Sequence, residues 1–524
     1  MFRGLGASLG LVLMLTAMLY GQHDPHRNTT RLIASGDFGK VASSMKKAQQ
    51  DDSETHFVFM MNALRQDKID DALKHAKQAI DLGLPFGRFI AGPRDVLAPL
   101  YKTPAYKQWA AEHQNLRLIH GPMLGRLTDT SVAVWVRTAN ASVVQVNVFG
   151  KSSDKPTATG EGRTEEAADY TTVVKISGLR PNTAYRYEVK VDGHVQATEN
   201  ASFTTHGKQH EAGSFSVAFG GGAGFVPQWE YMWDTIIKQR PDAMLMLGDN
   251  VYIDDPTHML TNRYCYYRRQ SRPEWRRFVA STSMYAIYDD HDFGMNDCVP
   301  GPDIDKPSWK RSVWDYFRLN WVNPYYGGGV DQPGCWHDFY IADVHFILLD
   351  GRYYRDRGEQ SRSMLGPVQK KWLKETIRNS KGTFKVIASP VPWTEGIKPG
   401  SKDPWDGFPQ EREEIFSFIE SNKIEGVFLV AADRHRSDLR VTKRENGYDL
   451  YEFESSRLTN RHTHGVIKTP GLIWGYKDTC SFGLMRFDTT GSDPSVKFEV
   501  YTIDGKRVHD YQLKLSVLKY APGN

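Results

Sequence analysis

"AMLMLGDNVYIDD", residues 243–255, sets an apolar run against an abrupt series of oxygen donors. Asp249 ends the run, Tyr252 follows three residues later, and Asp254 and Asp255 come next. A short run without a polar position suits a strand buried on both faces, and a single acid at its end is ordinary turn chemistry. The ending recurs, however. From about residue 212 the chain reads "SFSVAFG", "AMLMLGD", "SMYAIYDD", "VHFILLD", "FKVIASP" and "GVFLVAAD", with amphipathic stretches such as "PVQKKWLKETIRN" and "EREEIFSFIESN" between some of them. Four of these six runs finish on an acid: Asp249, Asp290, Asp350 and Asp433. The alternation predicts an α/β domain over 212–524.

In open α/β sheets ligands bind beyond the carboxyl ends of the strands. If these strands lie side by side and point the same way, four carboxylates meet on one rim. Their repulsion and desolvation then call for a compensating cation. Oxygen-rich clusters select Ca²⁺, Mg²⁺ or Mn²⁺, while added imidazole and phenol suit iron or zinc. Each acid has such a neighbour: Tyr252 after Asp249, His291 after Asp290, Arg352 after Asp350, and Arg434 with His435 after Asp433. The inventory suits phosphate ester hydrolysis, in which metals polarise phosphoryl oxygens and acidify water, and Arg and His hold the equatorial oxygens. A histidine that protonates the leaving alkoxide contributes roughly 10²–10⁴ in rate.

At 524 residues and 59.6 kDa the chain is too long for one domain. Lys plus Arg total 66 against 62 Asp plus Glu, a net +4. That near balance argues against a chain devoted to holding nucleic acid. "MFRGLGASLGLVLMLTAMLYGQ", residues 1–22, has one basic residue and then an apolar run, which predicts a secretory signal peptide and a secreted or periplasmic protein. An uncleaved anchor is the alternative, and no later segment reads as a membrane span. In an exported chain the four cysteines permit disulfides, with Cys265–Cys298 and Cys335–Cys480 as the expected pairs and four unpaired thiols as the other reading.

Residues 23–114 read as helical. "IDDALKHAKQAIDLGLP" puts Ile69, Leu73, Ala76 and Ile80 on one face with Ala72 and Ala79 beside them, in the manner of one tetratricopeptide-type helix pair. Over 115–207 the period changes to two. "TSVAVWVRT", "VVQVNVFG", "YTTVVKISG" and "YRYEVKVDG" predict antiparallel strands of a β-sandwich, and Leu179, Pro181 and Tyr185 suit the corner of a fibronectin type III or immunoglobulin-like fold.

The chain resembles the PhoD-like alkaline phosphatases, relatives of the purple acid phosphatases within the calcineurin-like metallophosphoesterases. The matching stretches are "GDNVYID" at 248–254, "YDDHDFGMND" at 288–297, "DVHFILLDGRYYR" at 343–355 and "ADRH" at 432–435; "LIHGPMLGRLTDTSVAVWVR" at 118–137 resembles the sandwich that precedes the phosphatase domain. The resemblance implies a phosphatase β-sandwich flanked by helices, and a site holding two cations, Ca and Fe, with Mn or Zn as alternatives. It implies Asp249 as the bridging ligand, Tyr252 as a phenolate ligand, Asp290 (rather than Asp289) on the second cation, and Asp350, Asp433 and His435 as further ligands. His291, Arg352 and Arg434 would contact phosphate, His291 also as the acid for the leaving group. Two positions depart from the pattern: Gly222 stands where a cysteine ligand is common, and Ser389 or Pro390 where related sites have a histidine.

Two choices stay open at this level. "RYCYYRRQSRPEWRRF", 263–278, is either packing over the sheet or a lid whose Arg263, Arg268, Arg269, Arg272, Arg276 and Arg277 steer an anionic ester. The activity expected is hydrolysis of phosphate monoesters or diesters by water, with a non-catalytic binding protein of the same fold as the rival.

Overall fold

A computed structural model describes residues 24–521. The expected signal peptide lies outside them, and no helix among the described residues is long and apolar enough to cross a membrane. The chain divides into two compact units. One contains the residues before Arg117 together with His258–Arg268, and the other the remainder.

The first unit is helical, as the 3.6-residue period requires. Helices Ser53–Leu64 and Ile69–Asp81 pack against each other through a ridge of Ala72, Ala76 and Ala79, all fully buried. Small side chains let the two backbones approach closely, and left-handed Gly83 follows the helix end. The segment His258–Arg268 is held here by buried charge. Arg268 pairs with Asp24, and Glu54 accepts from Arg88 at 3.0 and 3.2 Å and from Tyr264 at 3.0 Å.

In the second unit, residues 118–204 form two antiparallel sheets. Strands Leu118–Gly125, Ser131–Thr138 and Thr171–Ser177 make one; Ala158–Thr164, Ser142–Gly150, Ala184–Val191 and His194–Gln196 make the other, with Ser202–Thr204 added at its side. Alternate residues (Val132, Val134, Val136; Val144, Val146, Val148; Tyr187, Val189, Val191) fill a common core. Leu179 and Tyr185 are buried at the corner, where the Tyr185 hydroxyl accepts from the Arg180 amide at 3.0 Å.

The six apolar runs all form strands, but they do not lie side by side in one sheet. Ser283–Ile287, Ala243–Leu247 and Ser214–Gly220 are parallel neighbours, and Ser481–Asp488, Ser495–Thr502 and Arg507–Lys514 extend that sheet antiparallel. Val344–Leu348, Phe384–Ala388 and Val427–Ala431 are parallel neighbours in a second sheet. Leu450–Glu454 continues it in parallel, and His337–Ile341, Ser437–Thr442 and Leu472–Tyr476 add to it. The sheets face one another across aromatic rings. Phe487 of the first meets Phe346, Phe384 and Phe428 of the second at centroid distances of 5.7–6.4 Å. Two facing triplets of strands therefore replace the single rim expected from the sequence: Asp249 and Asp290 follow strands of the first sheet, Asp350 and Asp433 strands of the second.

Two further expectations change. All four cysteines are free thiols, with Cys265, Cys335 and Cys480 buried, so neither expected disulfide forms. The arginines of 263–278 do not make a lid. Arg263 pairs with Asp95, Arg268 with Asp24, Arg269 with Glu230, Arg272 with Glu274 and Arg277 with Asp234, while Arg276 donates to the Gly121 carbonyl. These pairings with the chain's own carboxylates and a carbonyl favour the packing reading.

Candidate metal centre

The loops leaving the strand ends are laced together by their backbones. The Gly222 and Ala223 amides donate to the carbonyls of Gly248 and Asp249, Leu458 and Thr459 to those of Gly221 and Gly222, and Ile253 and Asp254 to that of His291. Gly248 permits the closest approach: a Cβ there would lie 2.5 Å from the Asp289 Cβ. Asp292 fixes the start of the "GDNVYID" loop, its two carboxylate oxygens each accepting at 2.9 Å from the Asn250 and Val251 amides.

This lacing brings Asp249, Asp290 and His291 together, with one donor atom from each within 4.8 Å of the others. Asp249 and Asp290 are each only 2 % exposed. Tyr252 closes the group: its ring stacks on His291 at 4.8 Å, and its hydroxyl lies 2.7 Å from Nε2 of His435. That same Nε2 is 4.0 Å from Asp249 Oδ2. Asp249 thus lies close to Asp290, His291 and His435, and Tyr252 is in contact with both histidines. Behind His291, Asp254 binds the ring at Nδ1.

Charge accounting separates this group from its surroundings. Asp289 and Asp403 are paired with Arg352, Asp403 also with Arg355, Asp297 with Lys398 and Asp433 with Arg434. Among the described residues no lysine or arginine pairs with Asp249. Burial, followed by repulsion from Asp290, Asp289 and Asp292 that His291 only partly offsets, holds its carboxyl well above the usual range. Burial also resists ionisation of Asp290, but the charges of Arg352 and His291 outweigh it and hold that carboxyl low. His291 is raised well above its ordinary value because Asp254, Asp290 and Asp249 overcome its burial. His435 is driven the other way, by burial and by the neighbouring His462 and His464. The donor set fits cations: Asp249 is a buried carboxylate with no lysine or arginine partner among the described residues, and nearby Asn250 Oδ1 and His435 Nδ1 are buried without hydrogen-bond partners.

Three expected site residues sit differently. Asp350 lies outside every group of converging donors. Its oxygens accept from the amides of Arg352, Tyr353 and Cys335 at 2.8–2.9 Å and from the Tyr288 hydroxyl, so it serves as a turn anchor. Arg352 is fully buried and pairs with Asp289 and, by two hydrogen bonds of 2.7 and 3.1 Å, with Asp403. Asp433 joins no group of converging donors; Arg434 lies 3.4 Å from it, and the two sit beside Lys398, whose charge Asp433 supports. Between the two candidate acids, Asp290 is the one in the group. Asp289 is held by Arg352.

The sequence reading missed Asp254's role, Asp297, Asp403, Lys398 and the pair His462 and His464. The "HTH" at 462–464 was a legible sign, since residues two apart in an extended segment project to the same side. At the departures from pattern, Gly222 has φ +68°, and a Cβ there would lie 3.1 Å from the His435 ring. Ser389 is buried and accepts from the Trp405 indole at 3.1 Å, which makes it a packing residue.

Residues 217–468 match the model of a family described as PhoD-like phosphatase, and residues 115–208 a domain of unknown function, DUF7800. Alkaline phosphatase D of Bacillus subtilis (strain 168) is 22 % identical over 313 residues, covering 50 % of this chain and 53 % of its own; the chain spans about half the length of that curated relative. The structure of PhoD superposes with a TM-score of 0.61 at 16 % identity, over 75 % of this chain and 92 % of its own. A purple acid phosphatase, PPD1, from yellow lupin (Lupinus luteus) seeds superposes at 0.56 and 11 % identity, over 76 % and 75 %.

Proposed function

We propose, from the premise that this chain belongs to the PhoD-like phosphatase family through residues 217–468, that it is a metal-dependent phosphoric ester hydrolase. Its ligands are Asp249, Tyr252, Asp290 and His435, and it is exported and acts on monoesters or diesters. The observation that carries the reading is Asp249, a carboxylate 2 % exposed, set among Asp290, His291 and His435 and without a lysine or arginine partner among the described residues. Cations held there supply the positive charge that screens phosphoryl oxygens and acidifies water.

The chain's own residues do the rest. His291, kept protonated by Asp254, is the most exposed of the group, its side chain 21 % open, and it donates the proton to the leaving alkoxide. Lys398 and Arg434, on the Asp433 side, draw the anionic ester in and orient its free oxygens. Arg352 positions Asp289, Asp290 and Asp403 and does not touch substrate.

The test is release of nitrophenol from nitrophenyl phosphate and from its bis-ester by chelator-stripped protein resupplied with Ca²⁺, Mn²⁺, Zn²⁺ or Fe³⁺. Turnover restored by at least one cation is the expected result. A folded protein inert with all of them on both esters would leave the binding-protein reading in its place. N-terminal sequencing of protein recovered from outside the cytoplasm tests export, with a start near residue 22 expected.

A further inference from the structure

A second cluster lies against the first. His435, His462 and His464 each offer a nitrogen within 4.8 Å of the others. Nε2 of His462 is 3.2 Å from Nε2 of His464, and the ring centroids are 4.4–5.8 Å apart. Three imidazoles at that separation match the donor set of an open zinc-type site.

The loop bearing the two extra histidines is built to stay in position. The buried Arg457 guanidinium gathers the carbonyls of Asn460, Arg461 and His462, and the His462 amide donates to Asn460 Oδ1 at 2.8 Å. Between the histidines, the Thr463 hydroxyl donates to the His435 carbonyl at 2.9 Å, which joins the loop to the strand-end residue it faces. His435 supplies an independent sign of a missing partner. It is 7 % exposed, its Nε2 meets the Tyr252 hydroxyl, and its Nδ1 is buried without a hydrogen bond.

We propose that His435, His462 and His464 form an imidazole cation site for a borderline divalent metal, of which Zn²⁺ is the type. The inference rests on the metal-dependent reading given above and deepens it by assigning ligands and metal class to the His435 side. Imidazole nitrogens suit Zn²⁺ and spectroscopic stand-ins such as Co²⁺, while Ca²⁺ and Mn²⁺ favour oxygen. Gly222 serves the arrangement directly, because any side chain there would crowd the His435 ring.

The experiment uses the full chain stripped of metal and refilled with Co²⁺ as a spectroscopic probe, and with Zn²⁺ for calorimetric titration and X-ray absorption. Wild type is compared with a His462→Ala/His464→Ala double variant and with Asp290→Asn. The expected result is loss of one equivalent of Co²⁺ and of its d–d absorption in the double variant, with that absorption retained in Asp290→Asn. A double variant with wild-type stoichiometry and spectrum overturns the proposal. So does X-ray absorption of the wild-type zinc protein without imidazole scattering, a measurement that needs no variant to fold. Histidine-dependent Co²⁺ binding in a protein that hydrolyses no ester would sink the hydrolase reading alone. Hydrolysis with no histidine-dependent cation would sink this one alone.

Discussion

Asp403→Asn tests the demotion of Arg352 from phosphate contact to internal brace. Asp403 is fully buried, accepts from Arg352 at 2.7 and 3.1 Å, and also holds Arg355. Burial opposes its charge, yet the two guanidiniums hold its carboxyl well below the usual range, so the pairs are formed at any working pH. The amide keeps the shape and removes the charge, leaving two buried guanidiniums short of a partner; breaking such a pair costs about 3–5 kcal/mol. Arg355 would keep its bonds to the Gly351 and Asp403 carbonyls at 2.7 and 3.0 Å but lose its carboxylate, and its Nη2 is already without a partner. With an unfolding entropy near 2.1 cal/mol/K per residue and a unit of roughly 400 residues, that cost lowers Tm by about 4–6 °C. Calorimetric scans of wild type, Asp403→Asn and Arg352→Lys measure it, with inhibition by inorganic phosphate followed in parallel. Both variants are expected to lose Tm while the phosphate inhibition constant stays near wild type. Unchanged melting, with phosphate inhibition weakened tenfold or more in Arg352→Lys, would return Arg352 to the substrate and refute the brace.

Asp249→Asn is expected to remove bound metal and lower kcat by at least ~10³, several kcal/mol of transition-state stabilisation; metal analysis beside kinetics checks it, and a fully loaded active variant would contradict the bridging role. His291→Gln is expected to lower kcat by roughly 10²–10⁴ on alkyl phosphates and far less on nitrophenyl phosphate, whose leaving group needs no proton. Equal losses on both would argue against proton donation. Gly222→Cys places a side chain at φ +68° against His435 and Ser456, and is expected to cost about 1–2 kcal/mol without adding a metal ligand; higher Tm and metal content would overturn that. Burial pushes His206 down to about 4, with Asp129 only partly opposing, and pushes His337 down to about 4 as well. Both are neutral when folded, while the unfolded chain protonates near 6.5. Their contribution is therefore full above pH 6.5 and is lost as pH falls towards 4, by up to about 3 kcal/mol each. Denaturant melts at pH 7.5 and 5 measure the loss, and His337→Phe is expected to flatten it.

The periodicities carried the fold a long way. A two-residue period in 131–191 and continuous apolar runs after 212 became strands because alternation and burial are local properties of the chain. The partition of those runs between two sheets was not legible. A strand buried on both faces looks the same in either layer, and the choice is made by ring packing around Phe487, which is distant from its partners in sequence. The same distance explains why the surroundings of Asp350 and Arg352 were not legible. "DGRYYR" marks Asp350 and Arg352 by position, but their roles depend on Tyr288, Cys335, Asp289 and Asp403, between 15 and 63 residues away.

Backbone conformation explains why these loop residues had to be seen in place. Asp249, Tyr252, Asp254, Asp297, Asp433 and His435 all have φ between 50° and 69°, in the left-handed region. Asp tolerates that region, but a tyrosine there is an outlier, and each non-glycine residue costs about 1–2 kcal/mol. "GDN" announces a turn at Asp249, but nothing marks Tyr252, where glycine or asparagine would be the usual signal. The strain persists because Asp292 holds two amides of the loop and the His291 carbonyl holds two more. Strain of this kind collects where side chains must converge against their own backbone preference. Here it turns Asp249, Tyr252 and His435 towards one another, an arrangement of buried donors that repays its cost once a cation sits among them.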